Sequence, residues 1–225
     1  MSEKIFLQDK IGFVELIEVF GNDLTVVNAA RVSFHKESSF VDNVLSERDK
    51  ELIIYLAKNS HVAPFFHPQL RFRIRMPIFI AREWYRHTVG FARNEVSRRY
   101  VTESPEFFIP EKLRKRDKNI KQGSSSDIVE NNEQLVVQMS DWAKKALDFY
   151  NELLNVGVCP EQARTVLPQS MYTEFIETAS LGGYARLSKL RLEASAQVEI
   201  RNYAQLVSNL VEKHFPVSWQ ALVNI

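Results

Sequence analysis

The chain has 225 residues, 45% of them hydrophobic and 25% charged, enough apolar material for one large domain spanning 1–225. Its 29 basic and 28 acidic side chains leave a net charge of +1, so bulk electrostatics give no reason to expect a nucleic acid or a membrane surface as partner. The opening MSEKIFLQDKIGFVELIEVF is broken by charge every few residues, unlike a signal peptide or a membrane span, and predicts a cytoplasmic protein.

In chain order, SERDKELIIYLAKN begins with Ser46 and Asp49 at capping-box spacing and carries Leu52, Tyr55 and Leu56 as an apolar stripe, which predicts a helix ending near His61. Gln69 to Met76 alternates strictly, with Leu70, Phe72, Ile74 and Met76 on one side and Arg71, Arg73 and Arg75 on the other. That is a half-buried strand with a cationic outer face. Pro77 suits the first turn of a helix, so IFIAREWYRH reads as that helix, with Glu83 and Arg86 or His87 on one face near its end. Gly90 should break it, and in an extended continuation Glu95, Ser97 and Arg99 would share one side.

Residues 111–128, EKLRKRDKNIKQGSSSDI, have little to bury and read as an exposed linker; mixed charge and the lack of aromatic rings argue against a nucleic-acid-binding loop. Met139, Trp142, Ala146, Phe149 and Leu153 repeat at three and four, predicting a helix stopped by Gly157 and Pro160. The lone Cys159 cannot close an internal disulfide, no Cys/His cluster has zinc-site spacing, and a small buried apolar role is its ordinary expectation. Ala196, Ile200, Tyr203, Ala204, Val207 and Val211 predict a long amphipathic helix. The composite is an α+β domain, with N-terminal strands and helices and a mainly helical C-terminal half.

Polar groups concentrate in EWYRHTVGFARNEVSRRY, residues 83–100. The guanidinium fork makes paired, charge-assisted hydrogen bonds to phosphate, and a serine hydroxyl completes such a cradle, so a nucleotide phosphate is the natural guest. The alternative is a surface ion-pair network among Glu83, Arg86, Glu95 and Arg98, which would add little stability.

This window resembles the signature of the flavin-dependent thymidylate synthases: Arg-His-Arg, seven or eight residues, then Ser, within a pattern ending Asn-Glu-x-Ser-x-Arg-Tyr. Here it stands as Arg86, His87 and Thr88, eight intervening residues, Ser97, Arg99 and Tyr100, with Thr88 in place of an arginine. AARVSF, HVAPFFHPQLRFRIRMPIFIAREWYRH, GVCPEQARTVLP and YTEFIETASLGGYARLSKLRLEASAQVEI are similar to further family blocks in the same order. Phe66 stands where the family usually has glutamate, and Ser180, Gly182 and Arg186 where it commonly has Asn, Arg and Asn.

The resemblance implies FAD contacts at Ser33, His61, Ala63, Arg86, His87, Thr88, Val89, Asn94, Glu95, Ser180, Gly182 and Arg186. It implies dUMP contacts at Glu83, Trp84, Tyr85, Arg86, Glu95, Val96, Ser97, Arg98, Arg99, Arg164 and Arg191, with Arg191 catalytic at the uracil ring. It further implies methylenetetrahydrofolate and NADPH or NADH as co-substrates, and a homotetramer with active sites shared between subunits. The absence of GxGxxG agrees with a flavin held outside a dinucleotide fold. Two other readings stay open: a related enzyme acting on another pyrimidine nucleotide or installing hydroxymethyl, and a nucleic-acid-binding module using Arg71, Arg73, Arg75 and the basic linker.

Overall fold

A computed structural model describes residues 3–101, 103–117 and 123–224. Strands β1 (Glu3–Phe6) and β2 (Phe13–Phe20) lead into helices α1 (Asp23–Arg31) and α2 (Glu47–Lys58). Then follow β3 (Gln69–Pro77), α3 (Ile78–Trp84) and β4 (Phe91–Glu95), the short strands β5 (Arg114–Arg116) and β6 (Ser124–Ile128), and helices α4 (Asn132–Asn155) and α5 (Pro160–Ala163). The chain closes with β7 (Tyr172–Ser180), α6 (Leu181–Leu192), α7 (Val198–His214) and α8 (Pro216–Val223).

An antiparallel five-stranded sheet in the order β1-β2-β3-β7-β4 forms the base. The alternation of β3 places Leu70, Phe72, Ile74 and Met76 on the buried face, where Trp84, Tyr184, Tyr203 and Trp219 from the helices complete one core. Ile200, Tyr203, Ala204, Val207 and Val211 of α7 all enter it, as their spacing predicts. On the opposite face, Arg71, Arg73 and Arg75 pair with Glu18, Glu174 and Glu106, so the cationic stripe read from the sequence is neutralised residue by residue.

Several elements depart from the sequence reading. The interior strand β7 lies in the half expected to be mainly helical and does not read as a strand from the sequence, because its inward positions include Thr173 and Glu177 rather than an unbroken apolar set. In α2 the buried positions are Asp49, Ile53 and Leu56, while Tyr55 is exposed and its ring stacks on that of His61, with centroids 5.9 Å apart. Helix α3 stops at Trp84, leaving Arg86 and His87 in the following loop, and Pro77 caps it from outside. The expected linker carries the β5–β6 hairpin, tied down by Arg114 on Glu199 at 2.7 Å; residues 118–122 of it lie outside the described residues. Cys159 is exposed at the entrance to α5 rather than buried. The apolar stripe of α4 is also uncovered, with Trp142 68% exposed, since only Ala143 and Tyr150 of this helix find a buried place within the chain.

Asp49 locks the α1–α2 corner. Its Oδ1 accepts from Arg31 Nε at 3.0 Å and Ser38 Oγ at 3.0 Å, and its Oδ2 from Ser46 Oγ at 2.7 Å, while the residue is 3% exposed. Burial pushes this carboxyl up, but the bonds from Ser46, Arg31 and Ser38 and the Arg31 charge outweigh it and hold the pKa below the ordinary 3.8. A depressed carboxyl stabilises the fold above its unfolded pKa and loses that contribution as pH falls further. Asp49→Asn is therefore expected to lower the unfolding free energy at neutral pH by about 2–4 kcal/mol. Urea unfolding should show the difference from the parent shrinking below pH 3.8.

Candidate active site

The signature loop is held at both stems by one buried carboxylate. Glu177, on the inner face of β7 and 0% exposed, accepts from Trp84 Nε1 at 3.2 Å on each oxygen and pairs with Arg93 on β4. Trp84 ends α3 before the loop and Arg93 lies just beyond it, so residues 85–92 leave and rejoin the protein at a common point. Between them Gly90 has φ +80°, a left-handed turn that glycine enters without steric cost.

Arg191, near the end of α6, meets this loop. Its Nε donates to His87 Nε2 at 3.0 Å, its Nη1 lies 3.4 Å from Glu83 Oε2, and its Nη2 donates to the Glu83 carbonyl at 3.1 Å. The last contact satisfies one of the carbonyls that the C-terminus of α3 leaves without an intrahelical partner. An imidazole nitrogen that accepts from a guanidinium must be unprotonated there. Accordingly burial, reinforced by the charges of Arg191, Arg93 and Arg186, pulls the His87 pKa down to about 4. At neutral pH the ring is an uncharged acceptor that orients Arg191 without cancelling its charge.

The expected nucleotide residues fall into two groups. Glu83, Arg86 and Arg191 line a cavity of about 590 Å³ together with Arg114, Gln197 and Arg201. Glu95, Val96, Ser97, Arg98 and Arg164 line a separate cavity of about 730 Å³, with Arg73 and Arg75. Trp84 is fully buried, and Tyr85 is half-buried, its ring edge-on to Phe175 at 5.1 Å. Strand β4 ends at Glu95 and residues 98–100 turn, so the alternation expected for Glu95, Ser97 and Arg99 is not kept. Arg98 faces the cavity in place of Arg99, whose guanidinium lies over the Tyr100 ring, 5.1 Å from its centroid. The surface network considered as an alternative is not formed either: Glu83 engages Arg191, Glu95 accepts from Thr173 Oγ1 at 2.6 Å, and Arg86 makes no ion pair among the described residues.

Among the expected flavin contacts, Thr88 and Val89 are exposed in the loop and Asn94 on β4, while Ser33, His61 and Ala63 are exposed in turns bordering α1 and α2. Ser180 is buried and caps α6 by accepting from Gly183 N at 3.1 Å. Gly182 lies under Phe66, where a Cβ would come within 2.8 Å of the ring. Arg186 donates to the Val89 carbonyl at 2.8 Å and sits 5.5 Å from the Phe66 centroid. Exposed Val62, Phe66 and Val89 beside Arg186 give apolar surface next to a cation. That chemistry fits a flat ring system bearing an anionic diphosphate. The residues that sequence reading missed are Arg114, Arg201 and above all Glu177, whose signal was a carboxylate at an inward position of an alternating strand. Among the described residues no group of His, Cys, Asp and Glu is placed to hold a metal ion, and no helix is long and apolar enough to cross a membrane.

Residues 15–217 match the family model described as thymidylate synthase complementing protein. A flavin-dependent thymidylate synthase of Kosmotoga olearia is 38% identical over 214 residues, 95% of this chain and 90% of the relative. One from Thermus thermophilus is 37% identical over 210 residues, 93% of this chain and 75% of the relative. The UMP/dUMP methylase PolB of Streptomyces cacaoi, solved with 5-Br dUMP, superposes with a TM-score of 0.82 at 30% identity over 94% of both chains. The same protein solved with 5-Br UMP superposes equally, at 29% identity over 94% of this chain and 93% of that one.

A neutral His87 has a direct signature. Its ring-proton resonance, assigned by loss in His87→Gln, is expected to titrate with a midpoint near 4, whereas a midpoint at 6.5 would mean that Arg191 does not bond the ring. The stability this histidine contributes should be complete above pH 6.5 and fade as pH falls towards 4, because the unfolded chain then binds the proton first.

Proposed function

Since the chain belongs to the flavin-dependent thymidylate synthase family, we propose that it methylates dUMP to dTMP with FAD as cofactor, methylenetetrahydrofolate as carbon donor and NADPH or NADH as reductant. The observation that carries this reading is the placement of Arg191, fixed by a neutral His87 and by Glu83 at the wall of a cavity rich in arginine. Bound flavin supplies hydride-transfer chemistry that no side chain provides. Arg86, His87, Thr88, Val89, Asn94 and Arg186, with Ser33, His61 and Ala63, are the residues that would hold it.

The chain's own contribution is electrostatic and positional. For carbon five of the uracil to act as a nucleophile, negative charge must accumulate on the ring, and loss of the imide proton favours this. A permanently charged guanidinium at the imide stabilises that anion, each tenfold in the equilibrium corresponding to about 1.4 kcal/mol. Its geometry is preset by three contacts, so little reorganisation accompanies the reaction. Ser97, Arg98 and Arg164 supply a hydroxyl and two guanidiniums suited to the phosphate.

These two sets line different cavities of one chain, which supports an assembly, a homotetramer in this reading, in which one subunit's Arg191 works with the Ser97–Arg98 segment of another. The uncovered apolar stripe of α4 gives such an assembly a contact surface. In the family reading the protein works in the cytoplasm. A second reading, methylation of UMP, is favoured by the solved neighbour, whose own description covers both UMP and dUMP. Parallel assays with UMP and dUMP separate the two.

Lysine keeps the charge of Arg191 but not its planar fork. Arg191→Lys is expected to retain flavin and its reduction by nicotinamide while dTMP formation falls by roughly a hundredfold or more. Near-normal dTMP formation would remove Arg191 from catalysis. A subunit-mixing experiment tests the shared site. Arg191→Ala and Arg98→Ala proteins, each inactive alone, should regain activity when unfolded and refolded together, with roughly a quarter of the sites intact under random assortment. Failure of the mixture to exceed its components would place the whole site in one chain.

A further inference from the structure

Glu177 and Arg93 belong to neither expected contact set, yet they occupy the most costly position in the fold. A carboxylate at 0% exposure loses its hydration, and paired charges in such a place are commonly no better for stability than two apolar side chains of similar size. The pair is also incompletely satisfied, for Arg93 Nη2 is buried with no hydrogen-bond partner. Stability alone does not account for it. Its geometry has a different consequence, since one carboxylate receives Trp84 from the loop's first stem and Arg93 from its second.

We propose that Glu177 and Arg93 are a positioning pair for the reaction, pinning the two stems of the 85–92 loop to one point and thereby setting His87 against Arg191. The inference rests on the function proposed above and deepens it. Arg93 also lies along the loop's aromatic wall, its guanidinium 4.7 Å from the Phe91 centroid and 5.3 Å from that of Tyr85, so a change in its position is transmitted along the loop. The charged groups that act on His87 are Arg93 on β4 and Arg186 and Arg191 on α6, with Glu83 of α3 held against Arg191 and Glu177 of β7 against Arg93. Arg93 is one of the three cations that keep the ring uncharged, so withdrawing the pair removes both a mechanical anchor and part of that field.

An apolar replacement separates positioning from packing. Glu177→Leu combined with Arg93→Met removes both charges together; because Trp84 Nε1 then lacks its acceptor, the protein should stay folded with a modestly lowered melting temperature. Flavin content and reduction by nicotinamide should be retained, while kcat for dTMP formation drops roughly tenfold or more. The His87 midpoint should rise from about 4. A stable double variant with parental kcat and an unmoved His87 midpoint would overturn the proposal. If the double variant does not fold, Arg93→Met serves instead, freeing the second stem while Glu177, whose pKa burial already raises, can take a proton and keep an acceptor for Trp84; parental kcat in that variant is equally decisive against. Wild-type protein that forms no dTMP would sink the functional reading itself, an outcome distinct from an active wild type matched by active variants.

Discussion

The nine-residue antiparallel pairing of β3 with β7 is the constraint on which the site depends. Each strand passes directly into a helix, at Pro77 and at Ser180, so α3 and α6 start from opposite ends of the paired strands and their C-terminal ends meet. Arg191 therefore arrives where α3 leaves its terminal carbonyls open, and a cation there is favoured by the helix dipole as well as by the hydrogen bond to Glu83. The same pairing sets Glu177 beside Arg93 in register with β4. A one-residue slip of β7 would turn Glu177 to the outer face and leave Trp84 and Arg93 without their acceptor.

How far this could be read from the sequence depends on whether burial followed polarity. Strand β3 was legible because Leu70, Phe72, Ile74 and Met76 alternate with charged or amide side chains without exception. Strand β7 was not, since Thr173 and Glu177 occupy its inner face and are justified only by partners from β4 and α3. Helix α2 shows the same effect in small: a buried Asp49 rotates the inward face towards Ile53 and frees Tyr55 to stack on His61. In α4 the apolar period was correctly legible as a helix, but periodicity cannot say whether the face it marks is covered by the same chain.

The signature residues were legible as a motif, and their division was not. Linear proximity puts Arg86 and Ser97 in one window, whereas the β4 strand between them carries the second part to another cavity. The departures from the family pattern looked like unrelated changes at positions 66, 182 and 186, yet they form one packed unit. Phe66 covers Gly182, which has no Cβ to collide with the ring, and Arg186 lies over Phe66 while bonding the loop at Val89. Fit of this kind is a contact relation, which a single sequence does not display.

The charge balance of the chain also acquires its meaning only in three dimensions. A net charge of +1 says nothing of where the charges lie, and the three arginines of β3 pair with Glu18, Glu174 and Glu106 on the outer face. At the site the opposite arrangement holds. Arg191 meets a carboxylate at 3.4 Å but its shortest side-chain contact is to a neutral imidazole, and Arg86 has no ion pair among the described residues. Positive charge is thus left open at Arg86, whereas Arg73, Arg75 and Arg114 are paired with carboxylates even where they border a cavity. A histidine kept uncharged is the least expensive means to that end, because it orients a guanidinium as a carboxylate would while leaving its field intact for an anionic guest.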